Sequence, residues 1–360
     1  MIKKTGKRLL KIFLIILAAI VLLLLISSVS YRIRQSNAVN ALKEKGYYNP
    51  VSVGDYSLNV YSCGNENGKH TIVALAGLFD GEMNIGWRKM TEEIEKENRL
   101  IFVDRAGYGL SDDTTQEMTV EYIVEDYRKA LRNAGIKAPY ILMPHSIGGL
   151  YATYWESKYP EEIEAVAFID GSVCEPLEPE MQISDDPIMK VMSVAEKLGL
   201  AELYVWSDYG SYLNFLTEEE QRLALAMMSK TVGSTALYSE VNFDYRNINA
   251  SWEAIVTNDI PKIYISATFG YQTPEDLNGE DLTELCYIFG IDSDEYENDG
   301  QLKNALLENM AQFREERERP YIEKMGNCEY VCLPGDHIIF MDKPEECGEI
   351  IKNFIEGLDE

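Results

Sequence analysis

Short apolar runs that alternate with helical patterns constrain the fold of this chain more than any other feature. The runs are typical of buried strands and lie at residues 71–76, 100–103, 140–143, 165–169, 262–265 and 328–333. The segment 120–131 repeats apolar residues at helical spacing. Because strands that alternate with helices form parallel sheets covered on both faces, we predict an α/β fold with a mostly parallel sheet.

Two segments interrupt this alternation. Residues 171–260 are rich in Met, Leu and Tyr and contain no strand pattern, so we expect a helical cap above the sheet. Residues 275–326 form a second helical stretch that is polar and acidic. We therefore predict a core made of 55–170 and 261–360, with the cap at 171–260 and a stalk at 35–54.

The first 34 residues differ from the rest in charge and hydropathy. They contain no acidic residue, and no charged residue occurs between 12 and 29. Such a run is long enough to span a membrane, and the cations before it favour a cytoplasmic N-terminus. We predict a single-pass anchor in the cell membrane, with the body outside the cytoplasm. A cleavable signal peptide ending near Ser28-Val29-Ser30 is the alternative.

The remainder of the chain is strongly acidic. It holds 26 of the 33 Lys and Arg residues and all 60 Asp and Glu residues, a formal charge of −34. Nucleic-acid binding depends on Lys and Arg, so no nucleic-acid partner is expected. The six cysteines show no metal-ligand spacing with a nearby histidine, and we expect no metal site.

The segment 140–150, Tyr-Ile-Leu-Met-Pro-His-Ser-Ile-Gly-Gly-Leu, places Ser146 where a buried strand meets a helix. Gly148 and Gly149 allow that strand and helix to approach closely. The start of a helix also stabilises negative charge that forms beside the serine. The segment resembles the nucleophile turn of the α/β-hydrolase fold superfamily, usually Gly-x-Ser-x-Gly, with Pro144 in place of the first glycine.

Three further segments resemble the same family. Residues 103–112 contain Asp-x-x-Gly-x-Gly-x-Ser, and Ala76-Gly77-Leu78 stands where the family has its oxyanion loop. Residues 333–340 follow the last strand, where the family has its catalytic histidine. The resemblance covers 55–170 and 261–358. It implies a serine nucleophile at Ser146 and an oxyanion hole formed by the backbone N–H groups of Ile147 and Leu78.

The chain has only three histidines, and a serine nucleophile needs a base. His145 is adjacent to Ser146, so its side chain is expected to point away from the hydroxyl. His70 begins a strand at the opposite edge of the sheet from the loops that carry ligand sites. His337 follows a strand at the correct edge, and we predict that it is the base.

The carboxylate that would orient His337 has more than one candidate. The family commonly places it after the strand that follows the cap, but residues 266–274 contain no acid. Asp276, and beside it Glu275, come later in that loop. The family's other position is the end of the strand after the nucleophile helix, where Asp170 stands. We prefer Asp170 and keep Asp276 as the alternative.

These features favour a membrane-anchored serine hydrolase that cleaves an acyl ester, similar to carboxylesterases or lipases, through an acyl-enzyme on Ser146. Its partner would be a small acyl substrate, and no cofactor is expected. An aminopeptidase similar to the proline iminopeptidases is one alternative. A non-catalytic ectodomain of the same fold, which binds a ligand or partner, is the other. The oligomeric state is left open.

Overall fold

An eight-stranded sheet forms the centre of the protein, in the order β1-β2-β4-β3-β5-β6-β7-β8. The computed structural model describes residues 2–177, 187–210 and 212–359. The strands are β1 (Pro50–Ser52), β2 (Ser57–Gly64), β3 (Thr71–Leu75), β4 (Arg99–Val103), β5 (Tyr140–Pro144), β6 (Ile163–Ile169), β7 (Lys262–Ser266) and β8 (Cys328–Cys332). β1 and β2 are antiparallel to their neighbours, and all the other pairs are parallel. The predicted α/β fold with a mostly parallel sheet is confirmed.

Helices cover both faces of this sheet. They are α1 (Ile2–Glu44), α2 (Met83–Gly86), α3 (Arg88–Thr91), α4 (Val120–Asn133), α5 (Gly148–Lys158), α6 (Pro187–Lys197), α7 (Ala201–Tyr209), α8 (Glu218–Val232), α9 (Thr235–Ala254), α10 (Leu282–Phe289), α11 (Asp299–Phe313), α12 (Arg319–Met325), α13 (Ile339–Asp342) and α14 (Pro344–Glu356). One buried cluster joins the sheet to α3, α13 and α14, and a second joins it to α4, α5 and α12. The sheet is therefore shielded from water on both sides, as parallel sheets require.

The helices α6 to α9 occupy the predicted cap segment, of which residues 178–186 and 211 lie outside the described residues. Helix α9 packs along α5, which directly follows the predicted nucleophile. The second insertion supplies α10, α11 and α12, with a π-helical turn at Arg314–Glu318 between the last two.

The segment expected to be a stalk is instead part of the folded body. Its first residues continue α1, in which Ala38 and Leu42 are buried in the core cluster. Its last residues form β1, which pairs with β2. The reason is that apolar residues at helical spacing on α1 have cap helices to pack against. Sequence patterning alone did not reveal that partner.

The N-terminal half of α1 has no such partner among the described residues. Its large apolar side chains between 9 and 26 are exposed, for example Ile15 and Leu23. Within the described part of the chain, α1 is the one helix long and apolar enough to cross a membrane.

Candidate active site

Ser146 lies on the tight turn between β5 and α5. Its backbone is in the left-handed region, with φ of +51°, which residues other than glycine rarely adopt. A Cβ atom on Gly148 would lie 2.5 Å from the carbonyl oxygen of Leu75, so only glycine fits there. The strained turn holds the Ser146 hydroxyl at the carboxyl edge of the sheet, as the sequence predicted.

The structure brings Ser146, His337 and Asp170 together in one chain of hydrogen bonds. The Nε2 atom of His337 lies 2.8 Å from the Ser146 Oγ atom. Its Nδ1 atom lies 2.7 Å from Asp170 Oδ2. In this arrangement Nδ1–H donates to the carboxylate, so Nε2 is free to accept the serine proton.

Asp170 is held in place by the loop that follows β7. Its Oδ1 atom accepts a hydrogen bond of 2.7 Å from the Ala267 N–H, and its Oδ2 atom accepts one of 2.7 Å from the Thr268 hydroxyl. The Asp170 side chain is buried, and its φ of +42° turns the chain sharply after β6. These donors fix the orientation of the carboxylate toward the imidazole.

The two pKa values shift in opposite directions. Burial alone would raise the pKa of Asp170, but the hydrogen bond and charge of His337, together with the Ala267 and Thr268 donors, hold it below its usual value. Desolvation alone would lower the pKa of His337, but the hydrogen bond and charge of Asp170 outweigh it and raise that pKa, with smaller contributions from Asp80 and Asp336. The Asp170 carboxylate therefore stabilises the imidazolium that forms when His337 takes a proton.

The alternative acids do not reach His337. Asp276 Oδ2 accepts backbone hydrogen bonds from Gln272 (2.9 Å) and Thr273 (2.8 Å), which lower the pKa of Asp276 and commit it to a local turn. Glu275 is exposed beside it. The third histidine, His70, lies at the start of β3 and contacts Glu164 at 2.8 Å, at the opposite edge of the sheet.

The predicted oxyanion donors lie on the two sides of the serine. Ile147 precedes the first turn of α5, and Leu78 follows β3 in a loop that is fixed at both ends. The Gly77 N–H donates to Asp80 Oδ2 at 2.8 Å, and Arg105 donates to the carbonyl oxygens of the residues before Leu78. Among the described residues, neither the Ile147 nor the Leu78 N–H has a hydrogen-bond acceptor. Both amides are therefore available to an anion that forms beside Ser146.

His145 and Asp80 form a buried pair that sequence reasoning missed. The Nδ1 atom of His145 lies 2.9 Å from Asp80 Oδ2, and its Nε2 atom lies 2.9 Å from the backbone oxygen of His337. The His145 ring thus points away from Ser146, as expected, but it supports the loop that carries the predicted base. Only its position next to the serine could have indicated this role.

Arg105 and Glu240 form a second buried pair that was missed. The guanidinium donates to the oxygens of Ala76 and Gly77 and lies 3.1 Å from Glu240 on α9. The neighbouring Asp104 accepts hydrogen bonds from Leu110 N–H (2.9 Å) and Asn59 (3.1 Å). Arg105 therefore connects the loop before Leu78 to the cap.

A cavity of about 260 Å³ opens beside Asp170 and His337. Its walls are largely apolar and aromatic, formed by Val173, Ile248, Tyr264, Phe269 and Phe313. Arg317 and Glu318 of the π-helical turn also line it, and Arg317 is paired with Glu175. Within the residues that the structure describes, no group of acidic, Cys or His side chains could hold a metal ion.

Comparisons with known proteins identify the family and the fold. Residues 71–199 match the family model described as alpha/beta hydrolase fold. An uncharacterized protein of Bacillus subtilis, YbdG, is 32% identical over 268 residues, which are 73% of this chain and 82% of that protein. An uncharacterized vacuolar membrane protein of Saccharomyces cerevisiae is 26% identical over 110 residues, 30% of this chain but only 17% of the yeast protein.

Solved structures of low sequence identity share the fold. An esterase from Thermogutta terrifontis has a TM-score of 0.55 and 14% identity, over 86% of this chain and 98% of its own. An enol-lactonase from Burkholderia xenovorans LB400 has a TM-score of 0.53 and 16% identity, over 86% of this chain and 99% of its own. At these identities the likeness concerns the fold alone.

The pKa of His337 provides the first prediction. Since the Asp170 charge raises that pKa, Asp170→Asn should lower it, whereas Asp276→Asn should leave it unchanged. The measurement is an NMR titration of the imidazole resonances, assigned by replacing each of the three histidines with Gln. A fall in Asp276→Asn, or none in Asp170→Asn, would show that the wrong carboxylate has been assigned.

The second prediction concerns the Arg105–Glu240 pair. Glu240→Gln keeps the shape of the side chain but leaves a buried guanidinium without its counter-charge. We expect the free energy of unfolding to fall by about 3–5 kcal/mol, measured by chemical denaturation. The control is Glu356→Gln in the exposed pair with Lys352, where a loss below about 1 kcal/mol is expected. Equal losses in the two variants would contradict the role given to Glu240.

Proposed function

The chain belongs to the α/β-hydrolase fold family, and from that premise we propose that it is a membrane-anchored serine hydrolase that cleaves acyl esters. The observation that carries the proposal is the continuous chain of hydrogen bonds from Asp170 through His337 to the Ser146 hydroxyl. A serine, a histidine and a carboxylate in this order form the general arrangement for acyl transfer through a covalent intermediate.

The reaction begins when the Ser146 Oγ atom attacks the carbonyl carbon of the ester. His337 Nε2 accepts the hydroxyl proton, and Asp170 stabilises the resulting imidazolium. The carbonyl oxygen becomes an oxyanion that receives hydrogen bonds from the Ile147 and Leu78 N–H groups. When the tetrahedral intermediate collapses, the alcohol leaves with the proton from His337, and the acyl group remains on Ser146.

The second half of the reaction releases the acid. A water molecule attacks the acyl-enzyme while His337 accepts its proton, and a second oxyanion forms in the same place. His337 then returns the proton to Ser146 as the acyl bond breaks. The products are the carboxylic acid and the regenerated serine.

The cavity beside His337 supports an ester with an apolar group on one side. Its apolar side chains favour an aliphatic or aromatic substituent, because burial of such a group removes apolar surface from water. The esterase and the enol-lactonase of the same fold act on esters by their names, which makes an ester the first substrate class to test.

Helix α1 would anchor the hydrolase to a membrane. The uncharged run at 12–29, exposed over most of its length, supports a span, and the cations before it favour a cytoplasmic N-terminus. The yeast relative is named as a vacuolar membrane protein, which agrees with attachment to a membrane.

The third prediction tests the nucleophile. A fluorophosphonate probe, which reacts with activated serines, should label the wild-type protein and Ser293→Ala, whose serine is exposed in a surface turn. Ser146→Ala should not be labelled, because among the residues that the structure describes Ser146 is the one whose hydroxyl contacts His337. Equal labelling of wild type and Ser146→Ala would favour the non-catalytic alternative. Faster hydrolysis of aminoacyl amides than of esters would favour the aminopeptidase.

The fourth prediction tests the topology. The full chain carries a tag at each end, and the intact cells that express it leave the outer face of their cell membrane accessible to protease. Added protease should remove the C-terminal tag and leave the N-terminal tag. Both tags should be digested after permeabilisation. Protection of the C-terminal tag would overturn the outside location, and a mature N-terminus near residue 30 would establish a cleaved signal peptide instead.

A further inference from the structure

We infer that one side of the cap rests on the lipid bilayer that holds α1. This side, here called the α6–α7 surface, consists of five exposed side chains on two consecutive cap helices and on the residue that precedes the second helix: Val191, Val194, Leu200, Leu203 and Trp206. The inference depends on the proposed membrane anchoring and adds a lipid contact, and hence a substrate source, to it.

The α6–α7 surface is unusually apolar for a surface that faces water. Its five side chains are between 38% and 66% exposed. On α6 the two valines are three residues apart. Leu200, which immediately precedes α7, and Leu203 and Trp206 on α7 also follow each other at intervals of three. Residues at that spacing lie on neighbouring parts of one helix side. Large apolar side chains gathered in this way mark a contact with a protein or a membrane.

The position of this surface relative to α1 indicates a membrane rather than a protein. The Ser28 hydroxyl, at the end of the uncharged run, donates to the Lys197 carbonyl oxygen at 2.6 Å. A Cβ atom on Gly199 would lie 2.7 Å from the Tyr31 Cβ and 3.1 Å from the Ser27 oxygen. The loop between α6 and α7 thus packs against α1 at the level where the predicted span leaves the hydrocarbon.

A second contact shows how far α7 extends above that level. Arg34 on α1 forms an ion pair with Glu202 on α7. Arg34 is six residues beyond Ser28, about 9 Å along the helix axis. The headgroup region on each side of a bilayer is of similar thickness, about 5–8 Å. The first turn of α7 therefore lies at the outer boundary of the headgroup region, and Leu200, which adjoins Gly199 and precedes Glu202, lies closer to the hydrocarbon.

The residue types suit that depth. Tryptophan is enriched at membrane interfaces, and cations next to a span favour the same region. Lys197 is exposed beside Ser28, Arg32 is exposed on α1 just past the run, and Trp206 is exposed further along α7. The body as a whole carries a charge of −34, which opposes a strongly anionic surface. A zwitterionic bilayer is therefore the occupant that fits.

The cap that carries the α6–α7 surface also forms part of the site, since its helix α9 contributes Ile248 to the cavity next to His337. The substrate class that follows is an ester with a long acyl chain or alcohol held in the membrane.

The fifth prediction uses the fluorescence of Trp206 in the full-length protein. Of the four tryptophans, Trp87 and Trp155 are fully buried, and Trp252 packs under Lys324. In nanodiscs of phosphatidylcholine, lipid with brominated acyl chains should quench part of the emission. The quenching should disappear in Trp206→Phe and remain in Trp252→Phe. No quenching, or unchanged quenching in Trp206→Phe, would overturn the lipid contact.

The remaining outcomes of this experiment distinguish failure of the membrane anchoring from failure of the lipid contact. A chain that stays outside the discs overturns both the anchoring and the docking, whereas a disc-bound chain without Trp206 quenching overturns only the docking. If Trp206 is shielded only in discs that contain two copies, counted by mass photometry, the α6–α7 surface is an interface between copies and the lipid contact is wrong.

A kinetic experiment tests the α6–α7 surface by measuring the rate of ester hydrolysis in surface variants. Leu203→Ser should lower hydrolysis of a long-chain ester in phosphatidylcholine vesicles about tenfold, since burying a leucine is worth at least the 1.4 kcal/mol that this factor represents. Hydrolysis of a water-soluble short ester should not change. Val256→Ser is the matched control, because Val256 is exposed in the segment that joins α9 to the start of β7 and belongs to neither α6 nor α7. Equal effects on both esters, or equal loss in both variants, would contradict the proposal.

Discussion

A single buried guanidinium holds the cap, the oxyanion loop and the nucleophile helix in one arrangement. Arg105 donates to the carbonyl oxygens before Leu78 and pairs with Glu240 of the cap. Glu240 also accepts hydrogen bonds from the hydroxyls of Tyr108 and Tyr151, the latter on α5. Both charges are completely buried, so any other position of the cap would leave one of them without a partner. The positions of the two oxyanion donors therefore depend on this contact.

The loop after β7 explains why the carboxylate that contacts His337, Asp170, follows β6 and not β7. In the sheet β6 lies next to β5, so Asp170 and Ser146 stand at the ends of neighbouring strands. The loop after β7 contains no carboxylate near its start, but its Ala267 N–H and Thr268 hydroxyl bind Asp170. That loop contributes hydrogen-bond donors in place of the acid itself. The carboxylate, oriented from two sides, can support His337 while staying ionised.

Local patterns made the strands, Ser146 and His337 predictable, because each is marked by its immediate neighbours. A buried strand is an apolar run, and the serine turn needs small residues within three positions. The choice between Asp170 and Asp276 could not be made in the same way, since it depends on the path of a loop. Glu240 was missed because one acid in a polar helix gives no sign of burial. Its partner Arg105 lies on a distant loop, and only the packing of α9 on α5 brings them together.

The packing of α1 on the core fixes the orientation of the body relative to this helix, and therefore relative to the membrane that α1 is proposed to span. Ala38 and Leu42 belong to the same buried cluster as the sheet, together with Leu223 and Met227 of α8. Tilting the body away from α1 would expose these side chains to water, and removing α1 would do the same. A flexible tether would let the site sample many heights above the bilayer. A helix that is part of the core would fix one height, and under the proposed anchoring the cap would meet the lipid at the same depth in every molecule.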